Sequence, residues 1–495
     1  MRSPVPWTPH KFQKDGVKWL LEHACAALFA DPGVGKTSMA LGALKILKKR
    51  GMLGKVLIIA PLRVCHQVWP NEVSKWKDFN DFKVVVLHGP NKEKLLEEEA
   101  DIYCINPEGM DWLLGVTKAI SPKTGKKTPA VNLKRFKSHG FTHLIVDELS
   151  KYKHTQSQRF KALKQVLPYF RYRWGLTGSP AANGLMDLFG QIYVLDCGNA
   201  LGEYVTHFRR NFCVPAFDGS GWQLAEGAEP RIYEAVAPLV MRIGSEHLDL
   251  PKLVENQIEI KMPAEARRIY MELEDFLIAE FNDGFVTAVN AAVASGKCRQ
   301  VASGGVWLDK DQFGNLEPKK LKKAKVHRDG GRMWASLHTA KVDALEELIE
   351  ELQGQPLLVA YDFHHDLHQI RQRFPKVPFI GGGTSTAEAK RIEYEWNEGK
   401  IPVLLGHPQA MAHGLNMQMA CNHICWYSLT WNYELYDQFI KRVHRQGNKA
   451  PRVFNHLLMS EGTIDEAIYW ALHNKRKGQN ALFEAIKLLK KRRRA

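Results

Sequence analysis

The chain has 495 residues, of which 45% are hydrophobic and 25% charged, as in folded globular proteins and unlike disordered ones. This length predicts at least two domains, and no apolar run approaches the length of a membrane span or forms a secretory signal at the start. Basic residues exceed acidic ones by 16, which favours a polyanionic partner, with simple solubility charge as the alternative. Eight scattered cysteines indicate a soluble protein of a reducing cytosol.

The first predicted element is a helix over residues 8–20, where apolar side chains such as Val17 and Leu20 recur at helical spacing. Gln13 lies on this helix, and its amide can donate to and accept from an adenine edge. Taken alone, Gln13 is more commonly an ordinary surface residue.

A short apolar strand over 26–30 runs into a glycine-rich turn and then into a second helix. Gly33 and Gly35 allow backbone N–H groups to approach phosphate oxygens closely. Lys36 supplies a charge to the outer phosphates, and the Thr37 hydroxyl can ligate Mg²⁺. The stretch therefore predicts an ATP phosphate-binding loop, although its first glycine position holds the alanine that ends the strand.

Residues 143–150, HLIVDELS, form an apolar strand that ends in two adjacent carboxylates. At the carboxyl end of a parallel strand both would face the phosphate site. Asp147 can then hold Mg²⁺ through water, and Glu148 can orient and deprotonate the attacking water. A solvated strand end is the alternative for an isolated Asp-Glu pair. Further along, residues 172–177 predict a strand ending at Thr177, whose hydroxyl can link the nucleotide state to the second domain.

A second doubly wound α/β pattern begins near Lys341 and contains no phosphate loop of its own. Two polar loops follow its strands, at 407–416 and 438–447. Arg442 and Arg445 are three residues apart, so on a helix they share a face and can stabilise phosphate charge. A surface pair is the alternative for two arginines at this spacing.

The predicted domains are an N-terminal lobe over 1–255, an inter-lobe helical and basic insertion over 256–335, a C-terminal lobe over 336–475, and a basic helix or tail over 476–495. The insertion contains a lysine-rich stretch at 319–328. Both basic segments can contact a phosphate backbone, and solvated loops are the alternative.

Seven ordered motifs resemble those of superfamily two helicases, and more narrowly those of the Swi/Snf-type ATPases. They are TPHKFQKDGVKWL, ADPGVGKT, LIIAPLRVCHQVW, VDELSKYKH, GLTGSPAANG, AHGLN and QFIKRVHRQGNK. The resemblance covers roughly residues 8–475 and is similar to compact bacterial and bacteriophage forms. It implies two RecA-like doubly wound parallel-sheet lobes, ATP and Mg²⁺ as cofactors, and sequence-independent duplex DNA as the partner.

The resemblance also implies residue roles. Nucleotide, metal and catalytic roles fall on Gln13, Gly33, Gly35, Lys36, Thr37, Asp147, Glu148, Gly414, Arg442 and Arg445, with Arg445 the leading arginine-finger candidate. Nucleic-acid contacts fall on Arg63, Asn416 and Trp431. Two departures are Ser150 in place of the box histidine and His407-Pro408 in place of the usual Ser-Thr.

The sequence therefore predicts a DNA-stimulated ATPase that translocates on duplex DNA. A strand-separating DNA or RNA helicase and a nucleotide-gated DNA-binding clamp remain open alternatives.

Overall fold

The computed structural model describes residues 3–120, 127–178, 180, 184–215, 221–244, 250–282, 288–308, 325–329, 332–412 and 414–474. Ser179, His413, the predicted tail at 476–495 and most of the lysine-rich stretch lie outside these residues. The chain divides into two compact units, Met1–Leu248 and Asp249–Ala495.

The first unit is built on a seven-stranded sheet in which every neighbouring pair is parallel. Its elements are α1 (Lys11–Glu22), β1 (Cys25–Ala30), α2 (Lys36–Lys49), β2 (Lys55–Ile59), α3 (Trp69–Lys75), β3 (Val84–Val86), α4 (Lys92–Glu97), β4 (Ile102–Ile105), α5 (Met110–Leu113), β5 (Thr117–Ile120), β6 (Lys127–Ala130), α6 (Leu133–Ser138), β7 (Phe141–Asp147), α7 (Gln158–Lys164), β8 (Tyr172–Thr177), α8 (Leu188–Asp196), α9 (Val205–Phe212), β9 (Cys213–Pro215), β10 (Trp222–Leu224), α10 (Ala228–Val236) and β11 (Val240–Ile243). The sheet order is β11-β1-β8-β7-β2-β4-β3.

The central strands of this sheet carry continuous apolar, buried runs, as expected for a parallel sheet with helices on both faces. β1 is buried from Ala26 to Ala30, and β2 from Val56 to Ile59. Parallel strands end at one edge, so β1, β8 and β7 deliver the glycine loop, Thr177 and Asp147 to the same edge of the sheet. This arrangement confirms the predicted α/β class and brings residues more than a hundred positions apart into one site.

The second unit is built on a six-stranded sheet, also parallel throughout. Its elements are β12 (Lys252–Ile260), α11 (Ala264–Asn282), α12 (Ala288–Ser303), β13 (Gly305–Trp307), β14 (Lys325–Asp329), β15 (Arg332–Ser336), α13 (Ala340–Glu351), β16 (Leu357–Ala360), α14 (His364–Arg373), β17 (Phe379–Ile380), α15 (Thr386–Asn397), β18 (Val403–Gly406), α16 (Pro408–Met411), β19 (His423–Trp426), α17 (Tyr433–Ile440), β20 (Arg452–Ser460) and α18 (Ile464–His473). The sheet order is β12-β20-β19-β16-β18-β17.

Alternate residues of the second sheet enter two separate cores. Leu358 and Trp426 pack on one face, whereas Leu357 and Cys425 pack on the other. Two covered faces are the mark of a doubly wound sheet. The predicted domain boundary at 255 falls inside β12, whose full length pairs with β20.

Three smaller antiparallel pieces accompany the main sheets: the pair β5 and β6, the pair β9 and β10, and the three strands β13, β15 and β14. Within the described ranges, no helix is both long and apolar enough to cross a membrane.

Candidate functional site

The glycine loop between β1 and α2 adopts the backbone that its sequence predicts. Gly33 and Gly35 have φ of 95° and 86°, in the left-handed region where a side chain is strained. Gly35 caps α2, which begins at Lys36 and points its N-terminal N–H groups toward the loop. Such an end attracts phosphate through free backbone donors and the helix dipole.

The ammonium of Lys36 lies inside the loop, where Nζ donates to the carbonyls of Ala30 at 2.6 Å and Asp31 at 3.3 Å. Thr37 follows on the first turn of α2 and is half-buried. Both side chains are therefore held at the end of the helix that the anion would approach.

Gln13 of α1 packs directly on this loop. Its Nε2 donates to the carbonyl of Val34 at 3.0 Å, and its Oε1 accepts from the backbone N–H of His10 at 2.9 Å. A Cβ added to Gly35 would lie 2.6 Å from that Nε2. The amide of Gln13, which the sequence predicts to contact adenine, thus lies beside the glycine loop and donates a hydrogen bond to it.

The two predicted carboxylates follow at the end of β7, and Asp147 is the more constrained. The pKa of Asp147 is raised to about 6, first by burial and then by the adjacent charge of Glu148, while Lys36 and the hydrogen bond from Trp69 act in the opposite direction. The indole Nε1 of Trp69 donates to Oδ2 of Asp147 at 2.9 Å. Trp69 is a site residue that sequence reasoning missed, because it lies 78 positions away in the chain.

Trp69 reaches Asp147 from the segment after β2. Residues Val64–Val68 form a π-helical turn, and α3 begins at Trp69, whose side chain is fully buried. Such turns insert one extra residue and are frequent at functional sites. Arg63, which the resemblance assigns to nucleic acid, stands immediately before this turn.

Glu148 is held by two hydroxyl groups. Oγ of Ser150 donates to Oε1 of Glu148 at 2.6 Å, and Oγ1 of Thr177 donates to the same oxygen at 2.9 Å. The small hydroxyl at the end of β8 was visible in the sequence. Its partner was not, since the partner depends on β7 and β8 being neighbours.

The second unit brings four of its predicted residues together. Gly414 has φ of 77°, Arg442 donates to the carbonyl of Leu415 at 3.0 Å, and Arg445 donates to Oδ1 of Asn416 at 2.6 Å. The motif at 412–416 and the arginine motif therefore form one cluster. Arg442 is buried, whereas Arg445 is half-buried.

Trp431 is apart from the contacts that join this cluster. Its Nε1 donates to Oγ of Ser295 in α12 at 3.2 Å. The side-chain oxygen of Asn416 is taken by Arg445, so both residues that the resemblance assigns to nucleic acid in this unit make contacts within the protein.

The donor set suits Mg²⁺ and gives no sign of a transition metal. Thr37 and Asp147 offer oxygen ligands, and Mg²⁺ usually takes one or two of these together with substrate phosphates and water. Across the described ranges no cluster of three or more His, Cys, Asp or Glu side chains could hold a metal.

Residues 12–304 match the SNF2-related domain, and residues 340–447 match the helicase conserved C-terminal domain. The putative protein p41 of Acyrthosiphon pisum secondary endosymbiont phage 1 is 30% identical over 97% of this chain and 99% of its own length. A Caenorhabditis elegans relative is 25% identical over 92% of this chain, which covers 50% of that relative. Its name is SWI/SNF-related matrix-associated actin-dependent regulator of chromatin subfamily A containing DEAD/H box 1 homolog.

The solved structure of the Sulfolobus solfataricus SWI2/SNF2 ATPase core in complex with dsDNA is similar at a TM-score of 0.42 and 20% identity, over 96% of this chain and 93% of that one. The family assignment rests on the sequence matches, since the first domain profile spans more than half of the chain and the phage relative is matched almost end to end. The chain therefore belongs to the SNF2-related family of Swi/Snf-type helicase ATPases.

Proposed function

We propose that the protein is a DNA-stimulated ATPase that uses ATP hydrolysis to translocate on duplex DNA or to remodel protein–DNA complexes. One observation carries the proposal: Lys36, Asp147 and Glu148 meet at the carboxyl edge of one parallel sheet, beside a glycine loop that runs into the N-terminus of α2. The excess of 16 basic residues supports a polyanionic partner, and the nematode relative is by its name a regulator of chromatin.

The chain's own residues would divide the chemistry as follows. The loop at 33–37 binds the phosphates, Gln13 orients the base, and Thr37 with Asp147 holds Mg²⁺, which neutralises phosphate charge. Glu148 takes a proton from water while the water oxygen bonds to the γ-phosphorus and the bond to the ADP oxygen breaks. The proton leaves Glu148 for solvent once phosphate departs.

The family resemblance assigns Gly414, Arg442 and Arg445 to the same nucleotide. Arg442 is buried against the carbonyls of Leu415 and Gln438, a contact that suits support of the Gly414 loop. Arg445 is less enclosed and is the stronger arginine-finger candidate. Contacts of Arg63, Asn416 and Trp431 with the DNA backbone are part of the same proposal.

The test is the rate of ATP hydrolysis with and without duplex DNA. We expect duplex DNA to stimulate the wild type and Lys36→Ala or Glu148→Gln to lower turnover at least a hundredfold, since each removes phosphate binding or the general base. A wild-type rate that no duplex DNA raises over a range of salt would refute the proposal.

Strand separation is a distinct activity and needs its own assay. Displacement of a triplex strand without unwinding of the duplex supports translocation, and unwinding of a duplex would favour a strand-separating helicase. The clamp alternative has two departures from the family pattern in its favour, Ser150 and His407-Pro408, yet the Ser150 hydroxyl donates to the proposed base. This contact supports hydrolysis over a purely nucleotide-gated clamp.

A further inference from the structure

Glu148 adopts an uncommon backbone conformation in the turn that follows Asp147. Glu148 has φ of 73°, one of three described non-glycine residues in the left-handed region, and its N–H donates to the carbonyl of Leu176 at 2.9 Å. A single 3₁₀ turn, Leu149–Tyr152, follows at once. Left-handed residues other than glycine persist only where their surroundings impose them, and they cluster at active sites.

Two glycines on neighbouring elements admit this turn. Gly175 in β8 leaves room for the side chain of Leu149, whose Cδ2 would lie 2.5 Å from a Cβ added there. Gly190 in α8 lets the backbone carbonyl of Tyr152 approach so closely that an added Cβ would collide with it. The turn is therefore clamped between a strand and a helix, and its geometry is imposed by tertiary packing.

The same turn presents Ser150 to the carboxylate of Glu148. The hydroxyls of Ser150 and Thr177 converge on one oxygen, Oε1, at 2.6 Å and 2.9 Å. Ser150 is 5% exposed and Thr177 is not exposed at all, so water does not compete for these contacts. Hydrogen bonds to a charged acceptor are short and about twice as strong as neutral ones.

We propose that Ser150 and Thr177 are positioning residues that hold Glu148 by Oε1 and fix the direction from which its carboxylate meets the attacking water. This inference rests on the proposed ATP hydrolysis and adds two residues to it. In the step that they serve, the water oxygen bonds to the γ-phosphorus, the bond to the ADP oxygen breaks, and one water proton passes to Glu148. A general base loses effectiveness when it is displaced from hydrogen-bond reach of that proton.

The identity of residue 150 sharpens the inference. The Swi/Snf-type pattern has histidine where this chain has Ser150, and an imidazole is far larger than a hydroxymethyl group. In this buried turn the small Ser150 hydroxyl reaches Oε1 while Leu149 stays packed against Gly175, so a larger side chain has to displace its neighbours. Ser150→His, which restores the family residue, should therefore impair this protein.

The experiment compares full-length Ser150→Ala, Thr177→Val, the double variant and Ser150→His with wild type in steady-state ATP hydrolysis on saturating duplex DNA. We expect each single change to lower kcat about tenfold, with KM for ATP within about twofold of wild type, because ground-state binding is untouched. Ser150→Thr and Thr177→Ser, which keep the hydroxyls, should recover most of the rate.

Ser157→Ala is the matched control, because its hydroxyl caps α7 in the same unit and has no contact with Glu148 among the described residues. It should leave kcat and KM for ATP unchanged, and thermal unfolding reports whether each variant folds. Folded Ser150→Ala and Thr177→Val proteins with wild-type kcat would overturn the inference and leave the proposed function intact. A wild type without ATP hydrolysis would overturn both.

Discussion

The two units use the same architecture and put opposite chemistry at the carboxyl edge of their sheets. In the first unit five residues join β1 to α2, and this glycine loop leads directly into the helix N-terminus, where an external anion is favoured. In the second unit three residues join β16 to α14. There the carboxylate of Asp366 accepts from the backbone N–H of Phe363 at 3.0 Å, so the chain supplies its own anion.

The pKa values of two aspartates at these edges, the half-buried Asp147 and the fully buried Asp366, are shifted in opposite directions. Burial and the neighbouring Glu148 raise the pKa of Asp147 to about 6. Burial also acts to raise the pKa of Asp366, but contacts with His365, Ser428 and the Phe363 N–H outweigh it, so the net pKa lies below the usual range. A carboxylate held beside a second carboxylate is typical of a functional site, whereas a carboxylate surrounded by hydrogen-bond donors is typical of a structural role.

The largest expected effect comes from removing each aspartate in turn. Asp366→Ala leaves several buried donors without an acceptor and should lower the free energy of unfolding of the second unit by about 3 kcal/mol or more. Asp147→Asn should remove ATP hydrolysis and raise stability by about 1 kcal/mol, because it relieves a charge that the site disfavours. Urea unfolding measures the change in free energy of unfolding for each variant. If both variants change it in the same direction, the contrast between the two aspartates is wrong.

The packing of the turn at 148–152 gives a second test. Gly190→Ala forces a methyl group against the Tyr152 carbonyl and should cost about 2 kcal/mol, together with part of the ATPase rate. Gly296→Ala in α12 of the second unit is the control, because a Cβ there meets nothing within 4 Å. That change should be neutral or stabilising, as alanine favours a helix over glycine. Thermal unfolding is the measurement for both variants. Equal changes in unfolding temperature for Gly190→Ala and Gly296→Ala would contradict the close packing assigned to Gly190.

The indole of Trp69 offers a smaller and more specific perturbation. Trp69→Phe keeps an aromatic ring at this position but removes the indole N–H that donates to Oδ2 of Asp147. Groups that orient a metal ligand typically change metal affinity ten- to a hundredfold when lost. We expect about tenfold more Mg²⁺ to be needed for half-maximal binding of a non-hydrolysable ATP analogue. An unchanged Mg²⁺ titration would remove Trp69 from the site.

The smallest expected effect is the pH dependence of stability. Asp366 has a lowered pKa in the folded state, so its contribution is present above the unfolded value of about 4 and is lost as pH falls through the folded pKa. Asp147 has a raised pKa, so its ionisation costs stability as pH rises from about 4 to about 6. The stability gain of Asp147→Asn should therefore develop across that interval and stay constant above it. A gain independent of pH would contradict the raised pKa.

Local pattern was sufficient for the parts of the fold that rest on local physics. The apolar strand, the glycine-rich turn and the helix that follows it are predicted from neighbouring residues, and the structure confirms them. The strand ending in Asp147 is predicted in the same way, because a continuous apolar run predicts a strand covered on both faces.

By itself, the sequence determined the fold class, the phosphate loop, the pair of carboxylates and the family, since each depends on short-range spacing or on ordered motifs. Only the tertiary structure decided what holds those groups. Trp69 meets Asp147, Thr177 meets Glu148, and Arg445 meets Asn416 through strand order and loop packing across 29 to 78 positions. Such contacts leave no periodic trace in the sequence, because each one is set by which elements become neighbours and not by the residues on either side of it.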